Sequence, residues 1–266
     1  MSKKLMTDPG ARTARAKEKR RLMLRFLRDE VWTIGQVAAD VLGISYHAAY
    51  VTLQAMERDG LISSSPMAVN YSGRVRKVVL YGITSQGLAF AFDLNEEQTQ
   101  RNPWEPGKTN PLFVPHQIEI QSARLRAERA GWTDWKPARA LMGLGMAKIP
   151  DAVATGPDGV RVAVEVELNI KTPKRYEAIA GAYISQIKAG RWEKIDYLCP
   201  DADFAKRLAR VFASLPVIRL EKRGGSGLAG QMQQQHLDRM RFFAKDAWPG
   251  GEAYQAKLKS VEGDAK

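Results

Sequence analysis

The sequence has little of several features that mark particular classes of protein. Its 266 residues contain a single cysteine, Cys199, so an intramolecular disulfide and a cysteine-rich zinc site are both excluded. No apolar run approaches the roughly 20 residues that a membrane-spanning helix needs. The basic N-terminal stretch has no apolar segment of the kind found in signal peptides. We therefore expect a cytoplasmic protein without membrane insertion.

Acidic residues are outnumbered by basic ones. The chain has 41 Lys and Arg against 29 Asp and Glu, which gives a formal net charge of +12. This excess favours a polyanionic partner, such as nucleic acid or an acidic membrane surface. The length is enough for two domains of ordinary size or for one large one.

The first part of the chain follows the pattern of a DNA-binding domain. Residues 1–13 are basic and contain Pro9 and Gly10, which predicts a flexible arm, with an ordinary solvated tail as the alternative. Over residues 14–94 the apolar periodicity predicts three helices, a β-hairpin and a closing helix. Three helices followed by a hairpin is the order found in a winged helix-turn-helix.

Two groups of side chains in this domain are suited to contacting DNA. Ser45 is a predicted cap for the third helix, and Ala49, Leu53 and Met56 form its inward face. The opposite face is expected in the major groove, and the hairpin is expected to meet phosphate. The predicted DNA contacts are Tyr46, His47, Tyr50, Gln54, Arg74, Arg76 and Lys77. Winged helices also serve in dimerisation or protein docking, and that alternative stays open.

The second part of the chain alternates helical and extended patterns. Residues 95–112 are polar and rich in proline, which predicts a linker. Residues 113–223 then read as helix, three strands, helix, strand, helix, strand, which predicts a mixed sheet flanked by helices. Residues 224–266 predict a flexible tail with a short accessory helix. The whole chain is therefore expected to be α+β.

The strand from Val160 to Leu168 places two glutamates on the same side. Side chains alternate along a strand, so Glu165 and Glu167 point the same way. Asp151 lies on the preceding hairpin strand and completes a set of three carboxylates. Such oxygen-rich sets suit Mg²⁺ or Mn²⁺, and a hard divalent ion between carboxylates and a phosphodiester is a recurrent means of strand cleavage. A solvated strand face is the plain alternative.

These residues also carry a resemblance to known families. Pro150-Asp151, 13 further residues and Glu165-Val166-Glu167 resemble the restriction-endonuclease-like nuclease motif, PD followed by D/E-x-K. With the winged helix, "VEVEL" and "KRYEAIAGAY", most of Ala14–Lys222 is similar to the MobC-like mobilisation relaxases and the replication-relaxation proteins of plasmids and integrative elements. The resemblance implies metal-dependent, site-specific nicking of double-stranded DNA. It also implies Asp151, Glu165 and Glu167 as metal ligands, and mobilisation or transfer proteins of conjugation as partners.

The sequence departs from the nuclease motif at its last position. Glu167 stands where most members have lysine, and Lys171 is the candidate replacement for that base. The resemblance further implies a tyrosine nucleophile, for which Tyr183 and Tyr176 are the candidates. Their spacing of seven residues equally fits a stripe of core residues, and attack by water stays open.

Three more residues are candidates for the catalytic domain. His116 is a candidate ligand or proton-transfer group, with a capping or surface histidine as the alternative. Lys174 and Arg175 follow the acidic strand and are expected to face the phosphate backbone, or else to form a solvated basic loop.

Two other functions share most of these features. One is a non-catalytic winged-helix regulator or accessory factor with a degenerate nuclease domain. The other is a restriction-type endonuclease that cuts both strands.

Overall fold

A computed structural model gives the fold and describes residues 8–71, 73–93, 95–96, 101–222 and 225–257. The protein is a mixed α and β structure with helices and a mixed sheet. Its chain divides into two compact units, Met1–Leu125 and Arg126–Lys266. Within these described ranges, no helix is both long and apolar enough to cross a membrane.

The first unit has the three predicted helices followed by a hairpin, and between the first two helices it has a short strand that was not predicted. Its three-stranded antiparallel sheet has the strand order β1-β3-β2. Side chains of the first three helices and of the sheet, including Met23, Leu27, Leu53, Met56 and Leu80, are completely buried in one core. The elements are α1 (Pro9–Glu30), β1 (Trp32–Ile34), α2 (Gly35–Leu42), α3 (Tyr46–Arg58), β2 (Ile62–Tyr71), β3 (Arg74–Ile83) and α4 (Ser85–Ala89).

Side-chain caps set where the helices of this unit begin. The Asp8 carboxylate accepts hydrogen bonds from the amides of Gly10 and Ala11 at 3.1 and 3.0 Å, and Pro9 occupies the first turn. Residues 9–13 of the predicted flexible arm therefore belong to α1, and residues 1–7 lie outside the described residues. Ser45 caps α3, as the sequence predicts, by accepting from the Ala48 amide at 3.3 Å.

Part of the predicted linker is packed into the first unit. The Trp104 amide donates to the Ile83 carbonyl at 2.8 Å, and its indole donates to Thr109 at 2.9 Å. The ring covers Gly82, where an added Cβ would lie 2.2 Å from it. The boundary between the units accordingly falls within α5 (Val114–Arg129) and not in residues 95–112. A single tryptophan in a polar segment gave no periodic signal.

The second unit is built on a six-stranded mixed sheet with the order β11-β10-β7-β6-β5-β4. Strands β6, β7 and β10 are parallel, and the outer strands pair antiparallel to their neighbours. The elements are β4 (Thr133–Pro137), β5 (Ala152–Thr155), β6 (Arg161–Val166), α6 (Pro173–Lys188), β7 (Lys194–Cys199), α7 (Ala202–Ala213), β8 (Ile218–Lys222), β9 (Gly225–Gly230), α8 (Gln234–Leu237), β10 (Met240–Ala244) and β11 (Tyr254–Gln255).

The C-terminal part of this unit differs from the predicted flexible tail. Strand β8 pairs with β9 in a separate hairpin, and β10 takes the place beside β7 in the central sheet. The backbone of β8 lies against α6 at Gly181, where a Cβ would be 1.9 Å from the Arg219 carbonyl oxygen. The predicted accessory helix is only the four residues of α8. Residues 258–266 lie outside the described residues.

A buried ion pair joins β7 to β10 and to the segment that follows. Asp196 is completely buried and accepts two hydrogen bonds from Arg241, at 2.7 and 2.8 Å. The Trp248 indole donates to the same carboxylate at 2.8 Å. Three donors thus compensate the buried charge, as a carboxylate removed from water requires.

Replacing Asp196 tests how strongly this ion pair supports the sheet. We expect Asp196→Ala to lower the free energy of unfolding of the second unit by about 3–5 kcal/mol, because Arg241 and Trp248 lose their acceptor. Urea unfolding followed by tryptophan fluorescence measures the change. The control Arg219→Ala removes a mostly exposed partner of Glu177 and is expected to cost at most about 1 kcal/mol. Equal losses in the two variants would contradict a stabilising role for Asp196.

Candidate functional site

The pairing of β5 with β6 brings the predicted acids to one edge of the second unit. Ala152 pairs with Val164, so Asp151, one residue before β5, lies beside the C-terminal end of β6. There the Val166 amide donates to the Asp151 carboxylate at 2.8 Å. Glu165 is in β6, and Glu167 follows its last residue. The sheet therefore places three carboxylates at one strand end.

Both glutamates are buried. Only 6% of Glu165 and 4% of Glu167 is exposed, so the plain alternative of a solvated strand face does not hold. Two carboxylates removed from water require nearby cations or donors, since the cost of burying an isolated charge is several kcal/mol.

Two lysines supply that compensation. The Lys148 ammonium donates to a Glu165 oxygen at 2.8 Å and to the Ile149 carbonyl at 2.9 Å. The Lys171 ammonium donates to both oxygens of Glu167. Both lysine side chains keep part of their surface exposed. Sequence reasoning found Lys171 but missed Lys148, whose only signal is its position three residues before Asp151.

The two candidate tyrosines are completely buried, and each contacts one residue of the site. The Tyr183 hydroxyl donates to Glu165, and the Tyr176 hydroxyl accepts from the Lys171 amide at 3.1 Å. Their rings pack on Trp192 and Phe212. Each tyrosine thus packs in the core and orients a charged residue of the site, while neither offers exposed surface to a DNA strand.

Burial changes the pKa of Glu165. Burial, followed by repulsion from Asp151, raises the pKa of Glu165 from 4.5 to about 8, although Lys148 acts in the opposite direction. Burial likewise raises the pKa of Tyr176 above its ordinary value. Near neutral pH, Glu165 is therefore a group that can hold or release a proton.

The carboxylates do not form the predicted three-carboxylate metal site. Within the described part of the chain, no group of three or more His, Cys, Asp or Glu side chains is arranged to hold a metal ion. Each glutamate forms an ion pair with a lysine, and the Asp151 carboxylate accepts a hydrogen bond from a backbone amide. The donors are nevertheless hard oxygens, and Mg²⁺ often takes only one or two carboxylates together with water and substrate phosphate. Asp151 and Glu165 fit that smaller set.

The remaining predicted residues of the catalytic domain divide between the two units. Lys174 and Arg175 are exposed in the first turn of α6, which follows Glu167 after a short loop. His116 is in α5 within the first unit, whereas the three acids all belong to the second. The structure therefore does not group His116 with the acids in one unit.

The predicted DNA-contacting face of α3 is exposed. Tyr46, His47, Tyr50 and Gln54 all lie on the surface, opposite the buried Ala49, Leu53 and Met56. The Gln54 amide donates to the Tyr50 hydroxyl at 2.7 Å, which orients its side chain. Sequence reasoning missed Val51, which is 51% exposed on the same helix.

The hairpin carries its cations beside its turn. Arg74, Arg76 and Lys77 are exposed on β3, and Val75 between them is 72% exposed. The Asn70 side chain accepts from the Gly73 amide at 2.9 Å and so fixes the turn.

Comparisons with known proteins give little further information. No family model and no curated protein matches the chain. The chain is similar to the solved structure of a Lactococcus lactis ZitR mutant in its apo form, with 23% identity and a TM-score of 0.24. The similarity covers 31% of this chain and 58% of the ZitR chain. A likeness this low carries no argument about function.

The raised pKa of Glu165 predicts how stability depends on pH. Between about pH 5 and pH 8 the folded chain binds this proton more tightly than the unfolded chain does. The free energy of unfolding of the second unit is therefore expected to fall as pH rises through this window, by up to about 1.4 kcal/mol per pH unit. Glu165→Gln should flatten this fall, which urea unfolding at stepped pH in EDTA measures.

The matched control is Glu252→Gln, because Glu252 is an exposed acid of the same unit. This variant should keep the wild-type slope. If Glu165→Gln kept it as well, the proton would not reside on Glu165.

Proposed function

We propose that the protein is a metal-dependent DNA-nicking enzyme. In this proposal a winged-helix first unit recognises a DNA site, and a restriction-endonuclease-like second unit cleaves one strand. The observation that carries the proposal is the gathering of Asp151, Glu165 and Glu167 with two lysines at one end of β6. Acids held beside partly exposed cations are suited to a phosphodiester, which needs both charge neutralisation and a proton acceptor.

Each residue has a role in this proposal. Asp151 and Glu165 would hold Mg²⁺ or Mn²⁺, which when bound would polarise a phosphate oxygen. Lys148 and Lys171 donate to the phosphate oxygens once they release the glutamates. Tyr183 keeps Glu165 oriented through its hydroxyl. Glu167 is then the carboxylate left to accept a proton.

Water is the attacking group in this proposal. Tyr183 and Tyr176 have no exposed surface, and a nucleophile must come within contact distance of the phosphorus atom. The exposed Lys174 and Arg175 in the first turn of α6 would bind the backbone of the same DNA.

Binding of duplex DNA is assigned to the first unit. The exposed face of α3 enters the major groove, and Arg74, Arg76 and Lys77 on the hairpin bind phosphate or the adjacent groove. The net charge of +12 supports such a partner. The resemblance of the sequence to mobilisation relaxases extends the proposal to plasmid or integrative-element mobilisation or replication, with transfer proteins as partners.

One observation favours a second candidate function. Each glutamate of the site is paired with its own lysine, so both have a partner of opposite charge within the protein. A non-catalytic DNA-binding regulator with a degenerate nuclease unit has the same features. Strand cleavage separates the two candidates.

Cleavage of supercoiled plasmid tests the enzyme directly. With the full chain, Mg²⁺ and a plasmid that carries the DNA flanking its own gene, we expect conversion to the relaxed circle, and none in EDTA. Asp151→Asn and Glu165→Gln should each reduce the rate by about 100-fold or more, because several kcal/mol of charge stabilisation is lost. Glu252→Gln is the control and should retain the wild-type rate. Intact DNA binding without any nicking would favour the regulator.

The ends of the cleaved DNA test the attacking group. Hydrolysis leaves free ends, so protease treatment after denaturation should not change the migration of the product. A DNA end that stays attached to protein in the wild type and is lost in Tyr183→Phe would contradict attack by water.

Removing hairpin cations tests the assignment of DNA binding. Arg74→Ala and Arg76→Ala should each weaken binding to every duplex and lower the slope of log affinity against log salt by about 0.9, because one cation that offsets phosphate charge is lost. Fluorescence anisotropy across a salt series measures both effects. Lys108→Ala removes an exposed cation of the same unit and should leave both unchanged. Equal effects of all three substitutions would indicate a non-specific charge effect.

A further inference from the structure

The exposed face of α3 lacks the side chains that read guanine. Arginine and lysine make the commonest specific contact of a recognition helix, to guanine O6 and N7. On α3 the only arginine is Arg58, the last residue, and the helix has no lysine. A neutral His47 ring has a single N–H donor, so it cannot donate to guanine O6 and N7 together.

The same face has side chains that suit an A·T pair. Gln54 gives one amide hydrogen to Tyr50, which leaves its carbonyl oxygen and second hydrogen as a donor and acceptor pair. That pair is complementary to adenine, whose N6 donates and whose N7 accepts. Val51 lies three residues earlier, on the same side of the helix, and is 51% exposed. An apolar side chain at a base edge meets the thymine methyl group.

The hairpin independently suits the minor groove of A·T-rich DNA. Arg74 and Arg76 alternate with Val75 along β3, so the two arginines share one face. The narrow minor groove of A-tracts has an enhanced negative potential that attracts arginine. Val75 alternates with the two arginines and therefore lies on the opposite face of β3, where 72% of it is exposed.

We propose that the first unit reads an A·T-rich duplex, with Gln54 and Val51 contacting adenine and thymine in the major groove and Arg74 and Arg76 in the minor groove. This inference rests on the proposed function, because it names the class of DNA that the winged helix binds. The two features belong to different elements and read different grooves. They nevertheless select the same base pair.

Three duplexes of equal length and charge test the preference. One has a central A·T segment, the second has G·C there, and the third has inosine·C. The inosine·C pair presents the major-groove edge of G·C and the minor-groove edge of A·T. Anisotropy with the full chain should give affinity at least about tenfold higher for A·T than for G·C, with inosine·C between them.

Small changes to single bases of the DNA test Val51 and Gln54. Uracil in place of thymine removes the methyl group, and 7-deazaadenine removes N7. The wild type should lose affinity on both changes, by about fivefold for 7-deazaadenine. Val51→Ala should no longer respond to uracil, and Gln54→Ala should no longer respond to 7-deazaadenine. Leu112→Ala, which changes an exposed apolar residue elsewhere in the unit, should respond to both as the wild type does.

The outcomes separate this inference from the function on which it rests. Measurable and equal binding to all three duplexes, or tighter binding to G·C, overturns the A·T assignment and leaves DNA binding intact. Absence of binding to every duplex overturns the proposed function itself. Unchanged responses to the base analogues in Val51→Ala and Gln54→Ala overturn the assignment of these two readers.

Discussion

The burial of two glutamates at the end of a central strand is the constraint on which the second unit depends. Glu165 and Glu167 are almost inaccessible to water, and each is bonded to one lysine ammonium. Without these lysines the carboxylates would repel each other in a medium of low polarity. The loop before β5 must therefore bring Lys148 to Glu165, and the loop after β6 must bring Lys171 back to Glu167.

The same charges connect stability to function. A buried acid with a raised pKa destabilises the fold when it ionises, and natural active sites often keep such groups because their chemistry needs them. Both lysines are partly exposed, so in the proposed reaction a DNA phosphate would compete with the glutamates for their ammonium groups. We therefore expect the two lysine–glutamate ion pairs to be intact in the absence of DNA and to open when DNA binds.

The sequence predicted most elements because their signals are local. Ser45 as a cap, the 3.6-residue spacing of Ala49, Leu53 and Met56, and the alternating valines of β6 are each signals within one helix or one strand. The class of structure, helices with a mixed sheet, followed from the order of these elements. Predictions failed where a tertiary contact decides the outcome. Nothing near Trp104 indicates that it covers Gly82, and nothing in residues 240–244 indicates that they form the strand beside β7.

The candidate site was predicted to a similar extent. The alternation rule gave the shared side of Glu165 and Glu167, and the hairpin gave Asp151. The pairing of each glutamate with its own lysine was not predicted, because Lys148 reaches Glu165 across 17 positions of the chain. Burial of the tyrosines could be read from their spacing, whereas the hydrogen bond from Tyr183 to Glu165 could not.

In the proposed reaction these acids and lysines hydrolyse a phosphodiester with water. Cleavage of a labelled duplex by the full chain in water enriched in oxygen-18, with Mg²⁺, tests it most directly when the terminal phosphate of the product is analysed by mass spectrometry. We expect one oxygen-18 atom in that phosphate. A product phosphate without the isotope, or no product at all, would contradict it.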